Sequence, residues 1–119
     1  MNLLDTGVVL ELLREKKFEY GNISVITLLE MLRGLEDEKR AQTKKLLEET
    51  FDVHGLDNKT IDTYCNIYRV LNRKGKPLPD ADLIIGATAI SHNETLRTRD
   101  QHFERLTEFG LQLSTGSRR

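Results

Sequence analysis

Residues 79–103, PDADLIIGATAISHNETLRTRDQHF, indicate the fold class of this chain most clearly. Its segment 81–92 is apolar nearly all round, which predicts a buried helix. The β-prone segment TLRT, residues 95–98, follows shortly afterwards and predicts a strand. A buried helix that leads into a strand is the repeating unit of an α/β protein with a parallel sheet.

The same alternation extends outward from this stretch. Further strands are predicted at 2–5, 22–25, 51–56 and 111–114. The spacing of apolar residues predicts helices at 8–16, 27–35, 36–51 and 58–75, and a short helix before the last strand. The pattern as a whole predicts one α/β domain over residues 1–113, with a central, mostly parallel sheet of about four to five strands flanked by helices. Residues 114–119 are predicted to form a flexible tail.

Composition narrows the class of protein. The chain has 119 residues, with 18 Lys and Arg against 19 Asp and Glu, so a broad basic surface for nucleic acid is excluded. No apolar run approaches the roughly 18 residues of a membrane helix, and the start of the chain lacks the pattern of a secretory signal. The single cysteine, Cys65, suits a reducing compartment. We therefore expect a soluble, cytoplasmic protein with no membrane partner.

Carboxylates lie at the ends of the predicted strands or near the starts of the predicted helices. Asp5 follows the first strand, Glu30 lies one turn into the helix after the second, and Asp100 follows TLRT. Asp80 and Asp82 open the buried helix. Because functional sites of parallel sheets lie beyond the carboxyl ends of the strands, these acids are expected to converge. Oxygen-only ligands indicate Mg²⁺ or Mn²⁺ rather than zinc.

This order of acids, with its neighbours, resembles the PIN-domain nucleases, and within them the VapC toxins of prokaryotic toxin–antitoxin pairs. The motifs that carry the resemblance are LLDTGVVLELL, ISVITLLEMLRG, DLIIGATA and TLRTRDQHF, and it covers the chain from Asn2 to about Leu113. Each motif is weak alone, but four in this order and spacing are quite specific. The predicted domain is then a PIN-like nuclease domain.

The resemblance implies a role for individual residues. It makes Asp5, Glu30, Asp82 and Asp100 the catalytic residues and metal ligands, and it gives Thr6 the task of orienting Asp5 or a phosphate oxygen. Gly7 departs from the family, which usually has Asn or Ser there.

The activity implied by the resemblance is that of a Mg²⁺- or Mn²⁺-dependent endoribonuclease, a hydrolase whose RNA substrate is often tRNA or rRNA. The implied partners are an antitoxin, whose flexible tail blocks the acids, and a second copy of the chain in a homodimer.

Each acid also has a purely structural explanation. Asp5 suits the N-cap of the following helix, and Asp100 suits a turn. Glu30 forms a capping-box pattern with Thr27 as its N-cap. Asp80 follows Pro79 and is predicted to be an N-cap, or to support Asp82 from outside the set of ligands, because residues two apart on a helix do not face the same way.

The remaining polar residues carry weaker signals. The basic residues near the end of the helix at 58–75 form a candidate rim for RNA phosphates, and a solvated helix end explains them equally well: Arg69, Arg73, Lys74 and Lys76. His102 is a candidate proton carrier, whereas His54 and His92 are predicted to be surface residues. Cys65 is predicted to be in the core.

Two other functions compete with the nuclease. One is a catalytically inactive interaction module that keeps the PIN fold, for which Gly7 and the near-neutral charge leave room. The other is aspartyl phosphotransfer from the LLDTG segment, which ranks lower because the later strand supplies arginines where that chemistry usually has a lysine.

Overall fold

A five-stranded parallel sheet forms the centre of the molecule. The computed structural model describes residues 1–115, and its strands are β1 Asn2–Leu4, β2 Asn22–Ser24, β3 Asp52–His54, β4 Thr95–Arg97 and β5 Gln112–Ser114. They lie in the order β3-β2-β1-β4-β5, and all four pairings are parallel. The predicted α/β fold is therefore confirmed, and the order places β1 in the middle with β2 and β4 beside it.

Helices connect the strands wherever the sequence predicts them. They are α1 Thr6–Glu15, α2 Val25–Leu32, α3 Asp37–Thr50, α4 Asn58–Arg73 and α5 Asp80–Ser91, and a 3-10 helix, Gln101–Phe109, precedes β5. The boundary of the predicted tail is wrong, because Ser114 belongs to β5 and the guanidinium of Arg97 donates to the carbonyl of Thr115 at 2.8 Å. The rest of the predicted tail, residues 116–119, lies outside the described residues.

Two hydrophobic layers cover the two faces of the sheet. Leu3 packs with residues of α4, α5 and the 3-10 helix, such as Leu71, Leu83 and Leu106. The next residue, Leu4, packs with residues of α1, α2 and α3 on the opposite face. This division follows from the alternation of side chains along a strand. Both faces of β1 are thus buried, and its polar continuation, Asp5, is held in place at the edge of the sheet.

The buried helix α5 fits closely against the 3-10 helix. A Cβ atom at Gly86 would overlap Cδ1 of Leu106, which is itself fully buried. The absence of a side chain at Gly86 therefore permits the close packing of the two helices. This packing fixes the start of α5, and hence Asp82, relative to the segment that carries Asp100.

Two predictions about burial are wrong. The buried stripe of α4 contains Thr60, Ile67 and Leu71, so Cys65 lies off the stripe and is exposed. His54 and His92 are not simple surface residues, because their rings are partly buried and stacked with centroids 4.0 Å apart. Each ring also lies near a carboxylate, His54 near Glu94 and His92 near Asp57.

Within residues 1–115, no helix has both the length and the apolar character needed to cross a membrane.

Candidate active site

A cavity of about 440 Å³ opens at the carboxyl edge of the sheet. The residues that line it are Asp5, Thr6, Gly7, Val8, Glu30, Asp82, Ile85, Arg99, Asp100 and Phe103. The structure therefore brings together the four acids that the sequence singles out, and Thr6 with them. They come from four separate parts of the chain: Asp5 and Asp100 lie beyond the ends of β1 and β4, Glu30 lies in α2, and Asp82 lies in the first turn of α5.

Asp5 is both an N-cap and a member of the cavity. Its Oδ1 accepts the backbone N–H of Val8 at 2.9 Å, and its Oδ2 accepts the hydroxyl of Thr98. Burial raises the pKa of the Asp5 carboxyl and the nearby charge of Asp100 raises it further, whereas the hydrogen bond from Thr98 lowers it. The N-cap explanation is thus correct, and it leaves the carboxylate at the wall of the cavity.

Thr98 is a residue beside this site that the sequence analysis missed. Its side chain is buried, and its hydroxyl oxygen also accepts the backbone N–H of Asp100 at 3.0 Å. One hydroxyl therefore links Asp5 to Asp100. Its place directly after β4, equivalent to that of Asp5 after β1, was the available signal.

The capping box predicted for Glu30 is wrong. Helix α2 begins at Val25, and Ser24 is its N-cap, accepting the N–H of Ile26 at 3.1 Å. Thr27 is therefore inside the helix. Glu30 instead accepts a 2.6 Å hydrogen bond from the hydroxyl of Thr6. The oxygens of Thr6 and Thr27 are 3.0 Å apart, so these hydroxyls connect α1 to α2 beside the cavity.

Asp82 and Asp80 lie in different surroundings. Burial raises the pKa of Asp82, and the charges of Asp100 and Glu30 raise it further, as expected for one acid among several. Asp80 accepts the hydroxyl of Tyr64 at 2.7 Å, which raises the pKa of Tyr64 to about 12, and it lines a separate, largely apolar cavity. The N-cap prediction for Asp80 is wrong, because Pro79 holds that position and no side chain caps the helix.

Asp100 brings a histidine to the acids. It caps the 3-10 helix by accepting the N–H of His102 at 2.9 Å, and its Oδ1 also lies 3.1 Å from Nδ1 of His102. Asp82, Asp100 and His102 each offer one ligand atom, and these atoms lie within 4.8 Å of one another. The predicted oxygen-only set therefore gains a nitrogen donor.

This donor set fits a divalent cation. The two carboxylates and the imidazole of Asp82, Asp100 and His102 suit Mn²⁺, and the carboxylates also suit Mg²⁺. Asp5 and Glu30 add two further carboxylates to the lining of the same cavity. The raised pKa of Asp82 reflects partly the repulsion that a cation relieves. Position 7 has room for a side chain, since a Cβ there would make only an ordinary contact with Asp5, 3.6 Å from its Oδ1.

The predicted basic rim lies apart from these acids. Arg69, Arg73 and Lys76 are exposed near the end of α4, and Lys74 pairs with Glu108 at 2.7 Å. Among the residues that line the cavity, the cation is Arg99.

Comparison with known proteins identifies the family to which this chain belongs. The family model described as the PIN domain matches residues 3–108. The chain belongs to the PIN-domain family. The resemblance inferred from the four acidic motifs is therefore confirmed.

Individual known proteins align with this sequence or structure over almost the whole chain. The sequence is 38% identical over 115 residues to a protein named Ribonuclease VapC1 from Methanocaldococcus jannaschii, covering 93% of this chain and 85% of that protein. A VapBC-1 structure from nontypeable Haemophilus influenzae is similar with a TM-score of 0.80 and 25% identity, over 95% of this chain and 96% of that one. DNA-bound VapBC from Salmonella typhimurium shares the fold, with a TM-score of 0.82 and 23% identity over the same fractions.

Proposed function

We propose that this protein is a metal-dependent endoribonuclease and the toxin of a VapC-type toxin–antitoxin pair. The observation that carries the proposal is the convergence of Asp5, Glu30, Asp82 and Asp100 on one cavity of a PIN domain. The similarity to Ribonuclease VapC1 supports RNA as the substrate. A structured RNA such as tRNA or rRNA is the proposed target, and the cytoplasm is the proposed compartment.

The four acids have different proposed roles in binding Mg²⁺ or Mn²⁺. Asp5 and Asp82 are the proposed primary ligands, and Glu30 and Asp100 hold a second ion or orient the attacking water. A divalent ion, when bound, supplies positive charge at the phosphate and lowers the pKa of a water molecule. The reaction is the hydrolysis of a phosphodiester bond in a single-stranded or looped segment of RNA.

Neighbouring side chains hold the acids in position. Thr6 donates to Oε1 of Glu30 and leaves the other oxygen of that carboxylate for the cavity. Both oxygens of Asp5 accept one hydrogen bond, from Val8 and from Thr98, and each keeps a further lone pair for a cation. His102 is largely exposed and contacts Asp100, which suits the transfer of a proton between solvent and the site. The exposed residues Arg69, Arg73 and Lys76 are proposed to bind phosphates farther along the RNA.

Two protein partners belong to the proposal. The VapBC-1 structure similar to this chain supports an antitoxin that covers the acids. A second copy of the chain is proposed to cover the apolar cavity beside α4, about 290 Å³ in volume, whose lining residues Leu56 and Ile61 are about half exposed. Sedimentation of the purified protein tests the homodimer, and Ile61→Asp should shift it toward the monomer.

The activity is tested with the purified protein and a labelled single-stranded RNA. We expect cleavage with Mn²⁺, no cleavage with EDTA, and no cleavage by Asp82→Asn. Cleavage that persists in EDTA or in Asp82→Asn would refute the proposed mechanism. A folded protein that binds Mn²⁺ and RNA without cutting the strand would instead favour the inactive interaction module.

A further inference from the structure

Arg99 is the cationic residue among those that line the acid cavity. It lies between Thr98 and Asp100, just beyond the carboxyl end of β4. Its Nη2 is 3.0 Å from Oε1 of Glu11 on α1, and its side chain is more than half exposed. We infer that Arg99 binds an RNA phosphate beside the one that is cut, and that Glu11 holds the guanidinium at the mouth of the cavity until RNA replaces it. This inference rests on the proposed function.

The charge of the cavity makes such a residue necessary. The four carboxylates that line it repel the phosphates of an approaching strand. Bound metal offsets this repulsion at the scissile phosphate, but the next phosphate along needs its own cation. A guanidinium meets a phosphate with two parallel N–H donors, which fixes the orientation of the strand as well as its charge.

The ion pair with Glu11 suits an exchangeable contact. Both side chains are partly exposed, and exposed ion pairs contribute little to stability. Exchanging the Glu11 carboxylate for an RNA phosphate as the partner of Arg99 therefore requires little free energy. The guanidinium is already beside the cavity before RNA binds.

Arg97, two residues earlier, shows the contrasting arrangement. Its side chain is buried, its Nε donates to Glu19 at 2.8 Å, and its Nη1 donates to the carbonyl of Thr115. Arg97 therefore joins β4 to neighbouring segments. Within residues 1–115, Glu11 is the carboxylate that pairs with Arg99, so most of the donors of Arg99 remain available to a ligand.

The test measures binding and cleavage of the same single-stranded RNA. Binding is followed by fluorescence anisotropy in Ca²⁺, a hard cation that takes the same oxygen ligands, with a gel to verify that the RNA stays intact. We expect Arg99→Gln to weaken binding by about fivefold or more. The slope of log affinity against log salt should fall by about 0.7, the value for one neutralised phosphate of a single strand. Arg99→Lys should bind with intermediate affinity.

Arg14→Gln is the matched control, since Arg14 is exposed on α1, does not line the cavity, and changes the net charge equally. If Arg99→Gln and Arg14→Gln weaken binding equally, Arg99 does not contact the RNA. Thermal denaturation verifies that the variants fold. If Arg99→Gln does not fold, the affinity of Arg99→Lys for RNA tests the contact instead.

Substitution of Glu11 provides a second, independent test of this inference. Glu11→Gln should tighten binding by about twofold to fivefold because it releases the guanidinium, and this gain should vanish in the Glu11→Gln/Arg99→Gln double variant. Glu15→Gln is the control, because Glu15 lies on the same helix and pairs with Lys17 instead of Arg99. An equal gain in both backgrounds would show a general charge effect and overturn the role of Glu11.

Cleavage separates this inference from the proposed function. If the parent protein never cuts RNA but Arg99→Gln weakens binding, the proposed function fails and the Arg99 contact stands. If the parent cuts RNA and Arg99→Gln binds and cuts it like the parent, the proposed function stands and the Arg99 contact fails.

Discussion

The hydroxyl of Thr98 donates a hydrogen bond to Oδ2 of Asp5, although the two residues are 93 positions apart in the chain. The same hydroxyl oxygen accepts the backbone N–H of Asp100 at 3.0 Å. The ends of the adjacent strands β1 and β4 are therefore tied together by one buried side chain. This contact determines which way the Asp5 carboxylate faces before any cation binds.

Thr98→Val should weaken the binding of Mn²⁺ by about tenfold or more, the range found when a group that orients a metal ligand is removed. The hydrogen bond from Thr98 lowers the pKa of Asp5, so its loss also makes the carboxylate harder to ionise. Calorimetric titration of Mn²⁺ measures the effect. Thr98→Ser keeps the hydroxyl and should restore binding, whereas equal weakening in Val and Ser variants would mean that packing, not the hydrogen bond, matters.

Glu30→Gln should fold normally and lose RNA cleavage. The amide oxygen of Gln still accepts the hydroxyl of Thr6, so the free energy of unfolding without metal should change by no more than about 1 kcal/mol, the scale of one neutral hydrogen bond. The amide lacks the negative charge that a hard cation requires. Urea unfolding and RNA cleavage are measured on the same preparation. Cleavage at the parental rate would remove Glu30 from the site and leave three acids.

Asp82→Asn and Asp80→Asn form a matched pair on one helix. Asp82→Asn should abolish cleavage, whereas Asp80→Asn should keep most of it, because Asp80 contacts Tyr64 outside the acid cavity. Asp80→Asn should also lower the pKa of Tyr64 from about 12 toward its ordinary value of 10.0, which ultraviolet titration of the tyrosines detects. A greater loss of cleavage in Asp80→Asn would reverse the assignment of the two acids.

The stability of the metal-free protein should depend on pH through Asp5 and Asp82. Both have a pKa raised above 3.8 in the folded state, so the folded protein keeps their protons to higher pH than the unfolded chain does. Their contribution to the free energy of unfolding is therefore unchanged below the unfolded pKa and falls as pH rises through the folded one. This contribution is measured by urea unfolding of the parent and of Asp82→Asn in EDTA, across the pH range in which carboxyl groups titrate.

The difference between parent and variant isolates Asp82 from the other titrating groups. Near neutral pH, Asp82→Asn should be more stable than the parent without metal, and Mn²⁺ should stabilise the parent more than the variant because it binds the ionised carboxylates. If parent and variant show the same pH dependence, Asp82 does not titrate as one of a group of repelling acids.

The sequence predicts the fold and the meeting of the acids for a simple reason. Asp5 and Asp100 lie just beyond the ends of β1 and β4, and Glu30 lies in the helix that follows β2. Asp82 lies in the first turn of α5, the helix that leads into β4. The carboxyl ends of parallel strands and the starts of the helices that return to them meet at one edge of the sheet. The capping box at Thr27 failed because the end of β2 at Ser24 starts α2 earlier, and a sequence pattern alone does not show where a strand stops pairing.

Other features depend on contacts between distant segments. The link from Thr98 to Asp5 and the ion pair of Arg99 with Glu11 require the register of β1 against β4. The helical spacing of apolar residues places Cys65 on the apolar face and so predicts that it is in the core, but its true exposure depends on how α4 rotates against the sheet. Local periodicity does not determine that rotation to within one residue.

The most direct test of the acid site is a titration of Mn²⁺ in which the free ion is followed by electron paramagnetic resonance. We predict saturable binding by the parent protein near neutral pH, binding about tenfold weaker or absent in Asp82→Asn, and parental binding in Asp80→Asn. Binding of equal strength in Asp82→Asn and the parent would contradict the claim that these carboxylates form one divalent-metal site.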